Sequence, residues 1–548
     1  MADVRAAIVP DRAQEAHHEL VLSLILLLAA GVRVWGITFG LPNSEVRPDE
    51  MTVVQNSLGL LFGGLNPRFF NWPSLEFYAV AVLYRVAFEV AHFRGIFHLK
   101  FDMFRDAMVN PSPYLLVPRM VSVAAGVLSV WLVYRITRDL LDRTTALVAA
   151  FFLALAYLHV RDSHFGVTDV PMTALALCTL VCLNRAVSAP TRLRSWALAG
   201  VMAGLTASTK YSGVVLVPVG VIAATIIVSQ DEPWFGKNAA RRATIFLACA
   251  LLGFVAGTPY AVLSYPAFFE GLRFESHHLV AGHGIQLGYG WMYHLMFTLR
   301  YGLGTPLLVA GIAGIPILAI ISWRKGALVC SFPILYYLLL GRGTTVFVRY
   351  MIPIVPFLCI TAAVSVMALT TRLSPRSRNT GALISAAVAV LIALPSIQRV
   401  MALDSLLTET DTRVLATRWL HGRTQSSEWV SETPDRILHP VWGSQEGLRL
   451  AHFDAERRLF VSERNDVVTP EWIVVATSPL AVYTTVPVGL LPVIDSSYSA
   501  VATFSSARTE ESSWAFDQQD KFFLPYVEFK ARLRPGPDIR IYHRLPDR

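Results

Sequence analysis

Charge is scarce in this sequence. Only 16% of its 548 residues are Asp, Glu, Lys or Arg, where a soluble protein usually carries about 25%. That shortfall excludes an ordinary soluble enzyme, and 54% apolar residues exclude a disordered chain. Cysteine is scarce as well. Cys178, Cys182, Cys249, Cys330 and Cys359 all lie in apolar runs, as small membrane-buried residues rather than a disulfide framework. A GxxxxGK[ST] loop and a strand-embedded GxGxxG are missing, which argues against a cytosolic nucleotide as direct donor for chemistry. There is no internal repeat and no long charge run. The net charge of +8 is spread along the chain, so it gives no support to nucleic-acid binding.

What is abundant is apolar length, with a mean hydropathy of +0.49. A membrane span needs roughly 20 predominantly apolar residues. Runs of that kind occupy about 20–40, 116–138, 144–160, 168–185, 195–209, 211–229, 243–263, 295–322, 327–340, 350–371 and 380–396. The polar stretch before the first run, with Arg5, Arg12, His17 and His18, has no convincing small-residue cleavage pattern, so the first run reads as a retained anchor. Orientation follows from Lys and Arg in short loops. With residues 1–19 in the cytoplasm, the inside loops hold Arg138 and Arg143; Arg185, Arg192 and Arg194; Lys237, Arg241 and Arg242; Arg324 and Lys325; and Arg372, Arg376 and Arg378. All five are basic. The other face then receives a long loop, 41–115, and everything after about 397.

Residues 73–93 have a helical pattern, with Leu75, Tyr78, Ala79, Val82 and Val86 on one stripe and Pro73 at the start. Glu76, Arg85, Glu89 and His92 make it costly as a span, and counting it as one would put every basic loop outside. It reads as an interfacial helix on the outer surface. From about Leu403 the chain turns soluble-like. A helical stretch with Val414, Leu415 and Trp419 precedes short strand-like pieces such as Trp472–Ala476 and Ile539–Tyr542. The expected architecture is an α-helical polytopic membrane protein of about 11 spans, residues 20–396, with outer-face interfacial helices and a small C-terminal α/β domain, 397–548.

Polar residues collect on the outer side. Asp49 and Glu50 follow Arg47-Pro48 in the first outer loop; two acids there suit a general base and a positioning partner, and equally the first turn of a helix. Asp162, His164 and Asp169 sit in a short loop, as divalent-metal ligands or as caps and turn residues. Lys210 lies between two apolar runs, where it either meets an anion or snorkels to the interface. Glu275, His277, His278 and His283 share one outer loop, but their spacing fits no zinc motif, so solvated or acceptor-contacting histidines are the simpler reading. Arg349-Tyr350 opens the tenth run after an outer loop that holds Arg342, where the arginines suit a phosphate or lipid headgroups. Acids with cations at the membrane edge suggest an activated lipid phosphate as substrate.

These residues resemble a known group. Asp49-Glu50 in a long first outer loop, Asn66-Pro67 and Trp72-Pro73-Ser74-Leu75 leading into an interfacial helix, Pro118-Arg119-Met120-Val121-Ser122 opening the second span, and Arg349-Tyr350-Met351-Ile352-Pro353 with Pro356 are similar, in that order, to the polyprenyl-phosphate-sugar-dependent membrane glycosyltransferases of the GT-C fold. That family includes the protein O-mannosyltransferases and the lipid A aminoarabinose transferase. The resemblance implies a lipid-phosphate sugar donor, a protein, lipid or glycan acceptor, and inverting transfer at the outer face of the membrane; the lack of a eukaryotic sorting signal at the given termini makes the cytoplasmic (inner) membrane the expected one. It implies Asp49 as base, Glu50 as a positioning acid, and Lys210 and Arg349 on the leaving phosphate; Tyr350 and Arg342 are added as donor-binding candidates from their place beside Arg349 in the sequence. It implies no required cofactor; Asp162 and His164 lie where related oligosaccharyltransferases keep acidic metal ligands, which leaves a divalent metal as an alternative. A lipid-diphosphate-dependent oligosaccharyltransferase or polymer ligase, and a lipid-linked sugar transporter, are the competing readings. The transporter reading expects mid-span charges and repeat symmetry, neither of which is evident.

Overall fold

The computed structural model describes residues 12–228, 236–373, 378–425, 427–438 and 449–546. Arg5 and Arg376, two of the cations used above, lie outside them. All eleven apolar runs are built on helices. Six are long and apolar enough to cross a membrane: Glu15–Val34, Ser112–Leu140, Asp169–Ser188, Lys237–Gly257, Val348–Arg372 and Gly381–His421. Two bent pairs raise that to eight. Arg143–Leu155 and Tyr157–Ser163 meet at 56°, and Gly290–Leu303 meets Thr305–Ile321 at 113°. The second bend sits on Gly304 at φ +80, a backbone conformation that disfavours any side chain. The remaining runs make shorter helices, such as Leu193–Thr209 and the broken stretch Tyr211–Ile227, or one opened by Arg324 and Lys325, Trp323–Gly341. The first helix stops at Val34, and turns carry the chain to residue 42.

Small residues let two helices meet backbone to backbone. Gly200 and Gly204 on Leu193–Thr209, with Gly253 and Gly257 on Lys237–Gly257, line the contact between the two helices. A Cβ on Gly204 would lie 2.1 Å from the Ala250 carbonyl oxygen, and one on Gly253 would lie 2.4 Å from that of Val201. Both sequences are GxxxG, the spacing that permits close helix approach in a membrane. At the end of this pair Ser208 and Thr258 share a 2.6 Å hydroxyl contact, and the amide of Ser74 donates to Thr258. The pair therefore fixes Lys210, the residue just beyond it. The span Val348–Arg372 is tied to its neighbour in the same way. Thr361 donates to the Gly311 carbonyl at 2.7 Å and Ser365 to that of Ala310 at 2.7 Å.

The helix expected over 73–93 is Leu75–Phe93, with Glu76, Arg85 and Glu89 along it. Its buried face is Phe77, Val80, Tyr84 and Phe88, packed on Val53, Val54 and Leu58. Val82 and Val86, from the stripe read in the sequence, point outward together with Leu83, Val90 and Phe93. An interfacial helix has protein on one side and lipid on the other, so it carries two apolar faces, and periodicity does not distinguish them.

The C-terminal part is a seven-stranded mixed sheet: β1 Trp429–Thr433, β2 Arg449–Asp454, β3 Leu459–Ser462, β4 Val467–Val468, β5 Trp472–Thr477, β6 Tyr498–Phe504 and β7 Asp538–Arg544. The order is β4-β3-β2-β1-β5-β7-β6, with β1 parallel to β2 and β5 and the other pairs antiparallel. The two strand-like pieces read in the sequence pair with each other, Ile473 opposite Tyr542 and Val474 opposite Ile541. Strand β5 is apolar from Trp472 to Ala476 because both its faces are covered there. Ile473 and Val475 join a core with Leu490 and Ile494, while Trp472, Val474 and Ala476 belong to a core continuous with the membrane helices.

Candidate active site

Asp49 and Glu50 open the helix Pro48–Gly59, with Pro48 at its first position. Neighbours on a helix point in different directions, and these two meet opposite fates. Glu50 is buried. It takes two bonds from Arg119, at 2.9 and 2.7 Å, and a third from the Gly166 amide at 2.8 Å. Arg119 also donates to the carbonyls of Ile37 and Phe39 and stacks 3.9 Å over the Phe39 ring. Glu50 is thus a buried strut that holds three chain segments together. Asp49 is one-third exposed and ion-paired with Arg349.

Arg349 stands at the start of the 3-10 turn Val348–Ile354, over the ring of Phe347. A second acid–cation pair lies beside the first. Lys210, extended after its helix, pairs with Asp169 in the first turn of Asp169–Ser188 and sits 5.1 Å over the Tyr350 ring. Glu275, on the helix Tyr265–Ala281, faces both pairs. Burial pushes its carboxyl up to about 7; the Lys210 and Arg349 cations oppose that shift and the Asp49 carboxylate adds to it. Asp49, Lys210, Arg349, Tyr350 and Asp169 therefore form one cluster, joined by an acid that the loop pattern contained but did not assign.

The other candidates fall elsewhere. Asp162 is buried against Arg161 at 2.9 Å. His164 is buried with both ring nitrogens on carbonyl oxygens, Val160 at 3.0 Å and Trp35 at 2.9 Å. A neutral imidazole donates from only one of these nitrogens, but each faces a carbonyl oxygen at hydrogen-bond distance, so neither points to an open ligand position. Among the described residues no group of three His, Cys, Asp or Glu side chains is arranged to hold a metal ion. His278 and His283 contact each other at 2.9 Å, while His277 is exposed. Burial, with the Arg349 cation nearby, holds both His278 and His283 below their usual value. Arg342 is exposed and makes no ion pair with the cluster.

One part of the site has no local signal in the sequence. Residues 515–527 come from the C-terminal part and bury Phe516, Phe522, Phe523 and Tyr526 against the helices. Asp520 pairs with Arg47, whose guanidinium lies 4.6 Å over the Phe165 ring. Asp517 accepts from the Val348 amide at 3.0 Å and Gln519 from the Val346 amide at 2.6 Å.

Comparison with solved structures decides the fold. ArnT from Cupriavidus metallidurans in the apo state matches with a TM-score of 0.53 at 13% identity, over 80% of this chain and 86% of that one. The chain has the GT-C fold. The same enzyme bound to undecaprenyl phosphate matches this GT-C chain with a TM-score of 0.52, again at 13% identity, over 79% and 85%. The apo oligosaccharyltransferase of Archaeoglobus fulgidus matches at 0.49 and 12% identity over 79% of this GT-C protein, which spans 64% of the archaeal chain. Residues 115–260 match the family described as dolichyl-phosphate-mannose-protein mannosyltransferase. No curated protein matches the GT-C chain in sequence.

Proposed function

We propose that this protein transfers a sugar, with inversion, from a polyprenyl-phosphate donor to a hydroxyl of a protein, lipid or glycan acceptor. We place the reaction at the outer face of the cytoplasmic membrane, in line with the sorting of basic loops to the other side. One observation carries the reading: a partly exposed acid, Asp49, rests on a cation, Arg349, next to a second such pair, Lys210 and Asp169.

A lipid phosphate competes for both cations. When it binds Arg349, Asp49 loses its partner and becomes free to accept a proton. The acceptor oxygen then attacks the anomeric carbon as the bond to the phosphate oxygen breaks. The hydroxyl proton passes to Asp49, and the electron pair leaves with the polyprenyl phosphate. Arg349 and Lys210 stabilise the charge that grows on that phosphate, an interaction strongest in the transition state. Tyr350 supports Lys210 from below through its ring. We assign His278 and His283, held below their usual value, to contact with the acceptor. The undecaprenyl phosphate bound by the similarly folded ArnT supports this donor class.

The test is Asp49→Asn in purified protein, with transfer from undecaprenyl-phosphate sugars measured. A positioned base contributes about 10²–10⁴-fold, so the variant should lose at least about 100-fold. Transfer at the wild-type rate by a folded Asp49→Asn protein would remove Asp49 from the mechanism.

A further inference from the structure

The cluster above is built from helices of the membrane domain, yet the backbone that presents Arg349 does not hold itself in place. Residues 342–347 have no regular secondary structure. Their early amides, Thr344 and Thr345, bond the Leu279 carbonyl. The next ones in reach of Arg349, those of Val346 and Val348, find their acceptors in the C-terminal part. Gln519 Oε1 takes the Val346 amide at 2.6 Å, and Asp517 Oδ2 takes the Val348 amide at 3.0 Å.

Gln519 is fully buried, and its amide is used at both ends. Nε2 donates to the Thr344 carbonyl at 3.1 Å and to the Ile285 carbonyl at 2.9 Å. One side chain thus clamps the loop before Arg349 to the loop that carries His283. Its own backbone is anchored too, because Tyr483 donates from its hydroxyl to the Gln519 carbonyl. One residue on, Asp520 holds Arg47, two residues before Asp49. Tyr526 closes the segment by donating to the Thr298 carbonyl at 2.9 Å. Three residues within four positions, Asp517, Gln519 and Asp520, therefore touch the chain beside both members of the Asp49–Arg349 pair.

We propose that Gln519 is a positioning residue for the transfer reaction: it sets the Arg349 guanidinium through the 344–348 backbone, so that the C-terminal part supplies one wall of the active site. The proposal rests on the role given to Arg349 under the proposed function. An aliphatic residue in place of Gln519 would leave the buried Val346 amide and two part-buried carbonyls without these partners. Such groups seek water, and the loop shifts to reach it. The cation then meets the leaving phosphate off its line of departure.

The experiment is a double-mutant cycle in the full-length protein, with Gln519→Ala, Arg349→Ala and the pair. Turnover is read as release of undecaprenyl phosphate from a panel of undecaprenyl-phosphate sugars, and affinity as binding of undecaprenyl phosphate itself. A misplacement of about 1 Å costs about 10²-fold, so Gln519→Ala should lower kcat by about 10- to 100-fold while lipid-phosphate affinity changes by about threefold or less. In the Arg349→Ala background the same substitution should cost about twofold at most, because residues that act through one another are not additive. Gln519→Asn keeps the amide and shortens it by one methylene; it carries the same cycle if the alanine variant does not fold. A wild-type kcat in Gln519→Ala, or a full additive loss on top of Arg349→Ala, overturns the positioning role while leaving the proposed function intact. A silent Arg349→Ala overturns the proposed function itself, and the role of Gln519 with it.

Discussion

Glu275 is the residue whose charge state the site controls most directly. Its carboxyl is pushed up to about 7 by burial, against the pull of Lys210 and Arg349. His278 and His283 are held below their usual value, so they are neutral across the same range and do not offset it. As pH rises through 7, a negative charge therefore appears beside the two cations that would bind a phosphate. The donor KM should rise across that interval, and Glu275→Gln should flatten the profile; an unchanged slope in the variant would show that another group is responsible. The effect on stability has the same direction. The folded protein keeps the Glu275 proton between the ordinary value of 4.5 and about 7, so this group's contribution is fully present at low pH and is lost as pH rises through 7. Asp49 and Glu50 show how little adjacency says about role. Both are legible as acids in a first outer loop, but their partners, Arg349 and Arg119, are distant in sequence and decide that one is partly exposed and the other is a strut.

Among the elements, the pair Leu193–Thr209 and Lys237–Gly257 has the most exacting contact. The two GxxxG motifs could be found in the sequence, but each would equally serve another helix or a second chain; only the structure pairs them. Gly204→Leu places a side chain where the Ala250 carbonyl oxygen lies 2.1 Å from the first added carbon. The helices must separate, and Lys210 with them. We expect the variant to elute as misfolded or aggregated protein in size-exclusion chromatography. Gly31→Ala, with open space at that position, should elute like wild type. Helix identity was legible because apolar length is a local property. The 113° bend at Gly304 was not, because a single glycine in a run such as 295–322 does not reveal whether the helix turns there.

At the scale of the whole molecule, the membrane part and the sheet share one core, and the segment 515–527 crosses between them. The contact of the C-terminal part with the helices is what brings Gln519 beside the Arg349 backbone and Asp520 to Arg47. Sidedness is a property of the whole chain in its bilayer. Glu456 lies exposed at the turn between β2 and β3. Glu456→Cys should react with a membrane-impermeant thiol reagent added outside intact cells, as the basic-loop pattern requires. Labelling only after the cells are opened would invert the orientation and move the proposed reaction to the cytoplasmic side.

The sequence by itself determined that this is a multi-pass helical membrane protein with a small mixed α/β tail, and it exposed Asp49, Lys210 and Arg349 as unusual for their setting. Those properties depend on the cost of polar groups in hydrocarbon, which each stretch of chain reveals alone. Only the tertiary structure decided which charges neutralise which. Asp49 meets Arg349 across 300 positions, Glu50 meets Arg119, Lys210 meets Asp169, and Gln519 meets Val346. A charge at low dielectric must be paired, but its partner is whatever the packing of helices brings within reach, and no local pattern records that choice.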